Sequence, residues 1–370
     1  MEYFKELNTT PRILLGPGPS MVHPRVLRAM AHPLVGHLDP QFVNLMNEVQ
    51  EMLRYVFETT NKLTLPISGT GSAGMDAVCC NFVEPGDPVL VCTNGYFGER
   101  LFEMVSRYGA DVTRLDRPWG SIFSPADIKT ALEEKPAKIV TMVMAETSTG
   151  TLQPLEEIAK IVHSHGALLL VDCVTSLGGV PVRIDDTDID IAYSCTQKGL
   201  GCPPGLAPVT IGPRAVEMLH RRKSKVPSWY FDLTEIEHYW GSERSYHHTA
   251  PISMCYALRE GLRLVMEEGL EARYKRHREN AELLWSGLQE LGLEAVVPYE
   301  YRLPTLTTIK VPDGVNAAEV SSRLLSEYNI EVAGGLGIFK GKVWRVGLMS
   351  YGSSKENIVL LLGALSRILK

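Results

Sequence analysis

A lysine and an aspartate occupy positions where a folded chain has little structural use for a charged side chain. Lys198 follows the apolar segment 189–193 and precedes a stretch rich in glycine and proline at 199–205. Because small and rigid residues surround it, its amine cannot easily reach water. Asp172 closes a second apolar segment at 167–171, where a predicted strand ends. The two residues would present an amine and an anion to one ligand.

An amine on one side and an anion on the other suit pyridoxal phosphate. The aldehyde of this cofactor forms a Schiff base with a lysine, and its ring nitrogen takes an acidic partner. Segment 68–74, Ser-Gly-Thr-Gly-Ser-Ala-Gly, would hold the phosphate, because its glycines let N–H groups at a helix start point to an anion. It is neither a Walker loop nor Gly-x-Gly-x-x-Gly, so a monophosphate fits better than a dinucleotide. By itself the segment is explained equally well by a tight strand–helix turn.

Composition argues against several classes of protein. The chain has 370 residues, 45% of them apolar, which is enough for two domains or for one large domain with an appendage. A net charge of −6 argues against a nucleic-acid-binding protein, which would normally be basic. No apolar run is long enough to cross a membrane, and residues 1–6 lack the apolar core of a secretory signal. Seven cysteines without a Cys-x-x-Cys pair support neither a disulfide framework nor a zinc site, so we expect reduced cysteines in a cytoplasmic protein.

Predicted strands alternate with predicted helices from residue 63 to 211, and these elements must position the candidate catalytic residues. The predicted strands are 63–67, 89–93, 112–115, 139–144, 167–174, 189–194 and 208–211. The predicted amphipathic helices are 73–83, 99–108, 124–134 and 155–165. This alternation, with strands that are almost continuously apolar, predicts an α/β fold whose mostly parallel sheet is covered on both faces. Ligands bind at the carboxyl ends of such strands, where Asp172 and Lys198 lie.

The pattern changes after about residue 250. A helical segment at 255–291 precedes further elements, which are strands at 305–311, 331–333 and 343–348 and helices at 317–328 and 355–369. This predicts a smaller α/β domain hinged on one long helix. We therefore expect an N-terminal arm at 1–20, a large cofactor-binding domain at 21–267 and a small C-terminal domain at 268–370.

Together the motifs resemble those of class V aminotransferases, close to the alanine–glyoxylate and serine–glyoxylate (serine–pyruvate) enzymes. The resemblance spans almost the whole chain. It implies the pyridoxal-phosphate-dependent transferase fold type I, in which a large domain with a mostly parallel seven-stranded sheet carries a smaller C-terminal α/β domain. The matching segments are 15–20, 68–74 with 94–98, 146–150 with 152–155, 171–179, 194–199, 246–249 and 342–347.

The resemblance assigns the catalytic roles to Lys198 and Asp172. Lys198 matches the Schiff-base lysine, whose released amine is the natural base for moving the α-proton of the substrate. For that role the pKa of the amine must fall from about 10.4, which burial favours. Asp172 matches the acid that pairs with the protonated ring nitrogen.

The resemblance also assigns residues that hold the cofactor. Phe97 matches an aromatic residue that stacks on the ring, although a shift of one residue would give that role to Tyr96. Thr147 would lie near the phenolic oxygen, and Val174 would pack on the ring face opposite the substrate. The residues expected at the phosphate are Thr70, Gly71, Ser72 and Gln197.

Substrate and subunit contacts complete what the resemblance implies. Arg345 matches the arginine that binds the substrate α-carboxylate through two charge-assisted hydrogen bonds, and Gly18 is expected beside the substrate. Tyr246 and Thr249 match residues that reach the cofactor phosphate of a neighbouring subunit, which implies a homodimer with shared active sites. The two histidines between them are not spaced for a metal site.

The predicted reaction is a ping-pong transamination from alanine or serine to glyoxylate or pyruvate. Because the resemblance assigns only one arginine to the substrate, we expect substrates with a single carboxylate. One alternative is a pyridoxal-phosphate-dependent lyase such as a cysteine desulfurase, which needs a cysteine on a small-domain loop before Arg345, but residues 331–345 contain none. The other is a non-catalytic interaction subunit, and the presence of Lys198, Asp172 and Arg345 argues against it.

Overall fold

The computed structural model describes residue 4 and residues 6–370, and half of its strands form one large sheet. Residues 1–3 and 5, which belong to the predicted N-terminal arm and to the segment tested for a secretory signal, lie outside the described residues. In chain order the strands are β1 (Ile13–Leu14), β2 (Leu63–Ser68), β3 (Pro88–Thr93), β4 (Asp111–Asp116), β5 (Ile139–Val143), β6 (Ala145–Glu146), β7 (Thr151–Leu152), β8 (Leu168–Asp172), β9 (Ile191–Tyr193), β10 (Leu206–Ile211), β11 (Leu306–Lys310), β12 (Ile330–Glu331), β13 (Ala333–Gly334) and β14 (Val343–Gly347).

Helices cover the sheet and build the C-terminal part. Several begin where the sequence supplies a cap, as at Asp39, Ser124 and Ser354, whose side chains accept hydrogen bonds from N–H groups of the first turn. In chain order the helices are α1 (Pro24–Met30), α2 (Pro40–Phe57), α3 (Gly71–Phe82), α4 (Tyr96–Arg107), α5 (Pro125–Glu134), α6 (Glu156–Ser164), α7 (Ile184–Thr187), α8 (Pro213–His220), α9 (Leu233–Trp240), α10 (Ile252–Glu268), α11 (Leu270–Glu290), α12 (Ala317–Tyr328) and α13 (Lys355–Ile368). No helix in the described part of the chain is long and apolar enough to cross a membrane.

The large sheet has the strand order β2–β10–β9–β8–β5–β3–β4. Strand β10 runs antiparallel to both of its neighbours, and the other adjacent strands are parallel. Strands β5, β8, β9 and β10 are buried along their whole length, as expected for a sheet covered on both faces. The predicted α/β fold with a mostly parallel seven-stranded sheet is confirmed, and all seven strands predicted between residues 63 and 211 are present.

The order of the strands creates a crevice between β3 and β5. Strand β4 follows β3 outward on one side, whereas β5, β8 and β9 follow one another on the other side. The connections that leave β3 and β5 therefore diverge at the carboxyl ends, which is where such sheets bind ligands. Phe97 follows β3 and Thr147 follows β5.

The C-terminal part has its own apolar core. Its sheet is antiparallel, in the order β11–β14–β13, and buried residues of α11, α12 and α13 pack with it. Leu15 belongs to the same core and β1 pairs with β12, so the segment after the N-terminus is tied to this part of the molecule. Helix α11 contributes Tyr274 to the large core and Leu284 to the small one. The predicted domain bounds at 20 and 267 stay predictions.

Four predicted elements differ in detail from the structure. The single helix expected over 255–291 is divided into α10 and α11, because Gly269 separates them with a left-handed φ of 78°. The strand expected at 331–333 is divided into β12 and β13, which pair with different strands. Helices α3 and α4 begin at Gly71 and Tyr96, earlier than predicted, and their first turns thereby reach the crevice.

Candidate active site

A cavity of about 240 Å³ opens at the carboxyl edge of the large sheet. It gathers residues from the segment before α1, from the starts of α3 and α4, from β8 and β9, and from the small domain. The lining residues are Pro17, Gly18, Gly71, Ser72, Met75, Phe97, Arg100, Thr147, Asp172, Val174, Tyr193, Gln197, Lys198, Leu336 and Arg345. Ten of the thirteen residues assigned from the sequence therefore line one cavity, and the three that do not are Thr70, Tyr246 and Thr249.

Lys198 lies on the floor of this cavity, with only 7% of its surface exposed. Its Nζ donates hydrogen bonds to Oγ1 of Thr147 and Oγ1 of Thr175, each at 3.0 Å, and these two hydroxyls also contact each other. Burial lowers the pKa of Lys198, because the charged amine loses its hydration. The side chain is therefore held by neutral hydroxyls, and the lowered pKa shifts the amine toward its neutral form, which is the nucleophile and the base.

Asp172 ends β8 beside Lys198 and is 2% exposed. Its Oδ1 accepts a hydrogen bond from the Val174 N–H at 2.8 Å, and its Oδ2 accepts one from the Tyr193 hydroxyl at 2.6 Å. Burial raises the pKa of Asp172 to about 6, although both hydrogen bonds and the nearby lysine oppose that rise. The two hydrogen bonds fix the orientation of the carboxylate, and no cation among the described residues bonds to it. The carboxylate is therefore suited to pair with a protonated ring nitrogen.

The start of α3 forms the side of the cavity expected to bind an anion. The N–H groups of Gly71 and Ser72 belong to the first turn of α3, and the Thr70 side chain makes no capping hydrogen bond to them. A Cβ on Gly71 would lie 2.9 Å from Cβ of Cys195, so only glycine fits there. Beside this turn Gln197 lines the cavity, and its Oε1 is buried without a hydrogen-bond partner among the described residues. The free N–H groups at the helix start are donors of the kind a phosphate requires, and Gln197 could add a donor only through its Nε2, because its Oε1 is an acceptor.

An aromatic ring forms one wall of the cavity, and it belongs to Phe97. Nζ of Lys198 lies 5.5 Å from the centre of the Phe97 ring. Tyr96 is not among the lining residues, so the structure favours Phe97 over its neighbour for a ring-stacking role. Glu146, which is fully buried, fixes the turn, because its Oε2 accepts hydrogen bonds from the N–H groups of Phe97 and Gly98, each at 3.2 Å.

Arg345 enters the cavity from the centre of the small sheet and is 5% exposed. Its Nε donates to the Gly334 carbonyl at 2.8 Å and its Nη1 to the Thr147 carbonyl at 3.3 Å. None of the ion pairs among the described residues involves Arg345. Burial lowers the pKa of this guanidinium to about 10, which reflects the cost of a buried cation without a bonded anion.

Gly18 closes the cavity from the N-terminal segment. Its φ of 119° lies in the range that favours glycine, and a Cβ there would approach Cγ and Cε of Lys198 to 3.3 Å. Two residues later, Oγ of Ser20 donates a hydrogen bond to the Lys198 carbonyl at 2.8 Å. The segment therefore packs directly on the lysine, and a side chain in place of Gly18 would restrict its movement.

Tyr246 and Thr249 lie on the surface of this single chain. Tyr246 is 63% exposed, and Thr249 is exposed as well. Between them His248 bonds to Ser68 through Nε2 at 2.7 Å, and burial lowers its pKa to about 4. Within the described residues no group of histidine, cysteine, aspartate or glutamate side chains could hold a metal ion.

Four residues of the site have no role in the sequence interpretation. Thr175 and Tyr193 bond to Lys198 and Asp172, Glu146 fixes the Phe97 turn, and Arg100 lines the cavity beside Ser72. Thr175 and Glu146 stand inside matched motifs, so their position in the sequence was a usable signal. Nothing in the sequence marks Tyr193 or Arg100, because their contacts depend on how β9 and α4 pack.

Comparison with known proteins agrees with this geometry. The sequence profile of the family described as aminotransferase class-V matches residues 13–357. The chain is 41% identical to the (S)-ureidoglycine–glyoxylate transaminase of Bacillus subtilis (strain 168), covering 99% of this chain and 92% of that protein. It is 42% identical to the alanine–glyoxylate aminotransferase of Rattus norvegicus, covering 95% and 86%. The crystal structure of alanine–glyoxylate aminotransferase from Nostoc sp. superposes with a TM-score of 0.98 at 54% identity, covering 100% of this chain and 98% of that one.

Proposed function

The chain belongs to the class-V aminotransferase family and is a pyridoxal-phosphate-dependent transaminase, and we propose that it transfers the amino group of a small amino acid, alanine or serine, to glyoxylate. The observation that carries the proposal is Arg345, a buried cation without an acidic partner among the described ion pairs, in a cavity of about 240 Å³. Glyoxylate is proposed as the acceptor because it appears in the names of the relatives from Bacillus, rat and Nostoc.

Arg345 supports a substrate with one carboxylate. A guanidinium binds a carboxylate through two parallel hydrogen bonds, and this removes the cost of its unpaired charge. Nε and Nη1 of Arg345 each donate a hydrogen bond to a backbone carbonyl group. These two bonds fix the plane of the guanidinium before the substrate binds. A second carboxylate buried without a cation would cost several kcal/mol. Arg12, Lys340 and Lys342 do not line the cavity, and Arg100, which does, bonds to Ser72 at the start of α3 and to none of the groups that hold Arg345.

Two side chains of the cavity have separate roles, Lys198 in proton transfer and Asp172 in charge stabilisation. When bound, pyridoxal phosphate supplies an aldehyde for the amino group and a ring that accepts the electrons left when the α-proton is removed. Lys198 is the group that takes and returns that proton at Nζ, since burial lowers the pKa of its amine and two threonine hydroxyls orient it. Asp172 would pair with the protonated ring nitrogen, and the Tyr193 hydroxyl and Val174 N–H keep its carboxylate in one orientation.

The cavity gives no support to a desulfurase. Residues 331–345 contain no cysteine. All seven cysteines are buried, and burial raises the pKa of Cys195, which lies behind Gly71, to about 11. A thiol with that pKa is protonated at neutral pH and is a poor nucleophile.

We also propose a homodimer in which each subunit completes the site of the other. Tyr246 and Thr249 are exposed outside the cavity of their own chain, which agrees with a role toward a partner. Other large apolar side chains are exposed, and those at Leu34, Leu38, Trp229 and Tyr230 are 68%, 44%, 64% and 40% accessible. Exposed apolar residues of this kind are common where a second chain packs. The cytoplasmic location stays a prediction.

A single-turnover screen tests the proposed substrates. The cofactor-loaded enzyme is mixed with alanine, serine, aspartate or glutamate, and the loss of the cofactor's visible or near-ultraviolet band is followed with time. Alanine or serine should react at least about a hundredfold faster than either dicarboxylic amino acid. Arg345→Lys should slow every donor, because an ammonium cannot reproduce the two-pronged contact. Fast reaction with glutamate would contradict the proposed substrate class.

A further inference from the structure

We propose that Arg100 is a phosphate-binding residue, which supplies the positive charge that the start of α3 lacks. Arg100 lies on α4, one turn after Phe97, and it lines the cavity. Its Nη1 is 3.4 Å from Oγ of Ser72, in the first turn of α3. The guanidinium is therefore at the same side of the cavity as the N–H groups expected to face the cofactor phosphate.

Aromatic packing holds the guanidinium in this place. Its central carbon lies 5.0 Å from the centre of the Phe97 ring and 5.4 Å from that of Tyr96. A cation over an aromatic face is attracted to the ring without losing its hydrogen-bond donors. The rings thus position Arg100 while leaving its N–H groups available to an anion.

Arg100 also differs from neighbouring arginines in having no acidic partner. Arg107, on the same helix, pairs with Glu103, and Arg114 on β4 pairs with Glu99 and Asp116. No ion pair within residues 6–370 includes Arg100. The acidic side chains of Glu99 and Glu103 pair with other arginines and not with Arg100. The positive charge of Arg100 is therefore available to an anionic ligand.

The charge of the ligand explains why such a residue is needed. Thr70, Gly71, Ser72 and Gln197 are all neutral, whereas a phosphate monoester is close to a dianion at neutral pH. Of the two arginines in the cavity, Arg345 bonds to Thr147 and Gly334, and Arg100 bonds to Ser72. Their separate partners assign Arg345 to the substrate and Arg100 to the phosphate. This inference rests on cofactor binding in the cavity and is independent of which amino donor the enzyme uses.

Comparing two aldehydes tests the inference. Cofactor-free wild-type, Arg100→Gln and Arg100→Lys proteins are titrated with pyridoxal phosphate and with pyridoxal, which lacks the phosphate, and dissociation constants are read from absorbance. Arg100→Gln should weaken pyridoxal phosphate binding by about 10- to 100-fold, as expected for a lost charge-assisted hydrogen bond, and should change pyridoxal binding by less than about twofold. Arg100→Lys should lie between. Inorganic phosphate should compete with pyridoxal phosphate less well in Arg100→Gln than in wild type.

Arg107→Gln is the matched control, because it removes an exposed arginine of the same helix, and it should leave both constants unchanged. Circular dichroism and thermal unfolding verify that each variant is folded. Equal weakening of both aldehydes in Arg100→Gln, or no change in either, would overturn the inference. So would unchanged cofactor binding with an altered preference for dicarboxylic substrates, which would assign Arg100 to the substrate. An incorrect amino donor would leave all of these dissociation constants unaffected, so the two proposals fail separately.

Discussion

At the scale of single residues, burial shifts the pKa values of Lys198 and Asp172, the two proposed catalytic groups, toward each other. The pKa of Lys198 is lowered and that of Asp172 is raised to about 6, and loss of hydration is the largest cause in both cases. Neither group bonds directly to the other in the described structure, since Lys198 donates to two threonines and Asp172 accepts from Tyr193 and Val174. The lysine is thus available as a base, and the aspartate carries a desolvation cost that a cation in the cavity would relieve.

The free-energy cost of burying the Asp172 carboxylate predicts that the stability of the cofactor-free protein depends on pH. Because the pKa of Asp172 is raised on folding from 3.8 to about 6, its protonated form favours the folded state at low pH, and that contribution is lost as the pH rises through 6. Asp172→Asn keeps the shape and does not titrate. From about pH 4 to pH 7 the unfolding free energy of the wild type should fall relative to the variant by about 2 to 3 kcal/mol. Urea unfolding of both proteins across this range measures the difference, and a constant difference would show that the folded carboxylate is not desolvated.

The residues of the site were predictable to different degrees. Lys198, Asp172 and Arg345 stand in motifs whose chemistry is readable in the sequence, and the cavity contains all three. Whether Tyr96 or Phe97 faces the cavity depends on where α4 begins. Glu146, on strand β6, fixes the start of α4 by accepting hydrogen bonds from its first-turn N–H groups. Contacts of this kind join residues far apart in the chain, so no local pattern reveals them.

At the scale of elements, α11 connects the small domain to the turn that carries Lys198. Arg273 on α11 is 4% exposed and donates at 2.7 Å to the carbonyls of Gly178 and Gly199. The same side chain bonds to Ser350 at 2.9 Å and pairs with Glu268 at 2.7 Å. One guanidinium therefore links the residue after Lys198, the turn that follows β8 and the small domain.

Removal of this link should destabilise the protein strongly. Arg273→Ala leaves two buried carbonyl groups without their donor and removes one of the two arginines that bond to Glu268, and we expect a loss of about 3 to 5 kcal/mol in unfolding free energy. Arg278→Ala is the control on the same helix, because Arg278 is 45% exposed and pairs with Glu282, and it should cost less than about 1 kcal/mol. Urea denaturation compares the two, and similar losses would mean that Arg273 does not connect the domains as described.

The elements themselves were largely predictable between residues 63 and 211, because apolar strands and amphipathic helices alternate there without interruption. The division of 255–291 was missed because a single glycine inside an amphipathic pattern is compatible with a continuous helix, and Gly269 terminates α10 through its φ of 78°. Helix α2 was also missed, although Asp39 and Pro40 are typical start signals.

At the scale of the whole molecule, the site is built where the two apolar cores meet. Asp172 ends a strand of the large sheet, Lys198 lies in the turn between β9 and β10, Arg345 comes from the small sheet, and the N-terminal segment with Gly18 covers the lysine. Relative movement of the two parts would change the position of Arg345 against Lys198. In the proposed homodimer, the exposed Tyr246 and Thr249 would extend this dependence to a second chain.

A mixed dimer tests whether the site is shared. Lys198→Ala subunits are combined with subunits carrying both Tyr246→Phe and Thr249→Ala, under conditions where subunits exchange. If Tyr246 and Thr249 act on the neighbouring site, one site of the mixed dimer holds both defects and the other holds neither. Transaminase activity should then exceed the sum of the two homodimers. Proven exchange without such a gain would place both residues outside the neighbouring site.

The central claim is that Lys198 is the proton-transferring group of a transaminase. The most direct measurement is the steady-state rate between alanine and glyoxylate for Lys198→Ala with added cofactor, beside wild type. We predict a loss of at least about 1,000-fold, with an unchanged circular dichroism spectrum, because Asp172, the other base that lines the cavity, is held by Tyr193 and Val174 for the ring nitrogen and would not move the α-proton. Turnover within a few-fold of the wild-type rate would contradict the account.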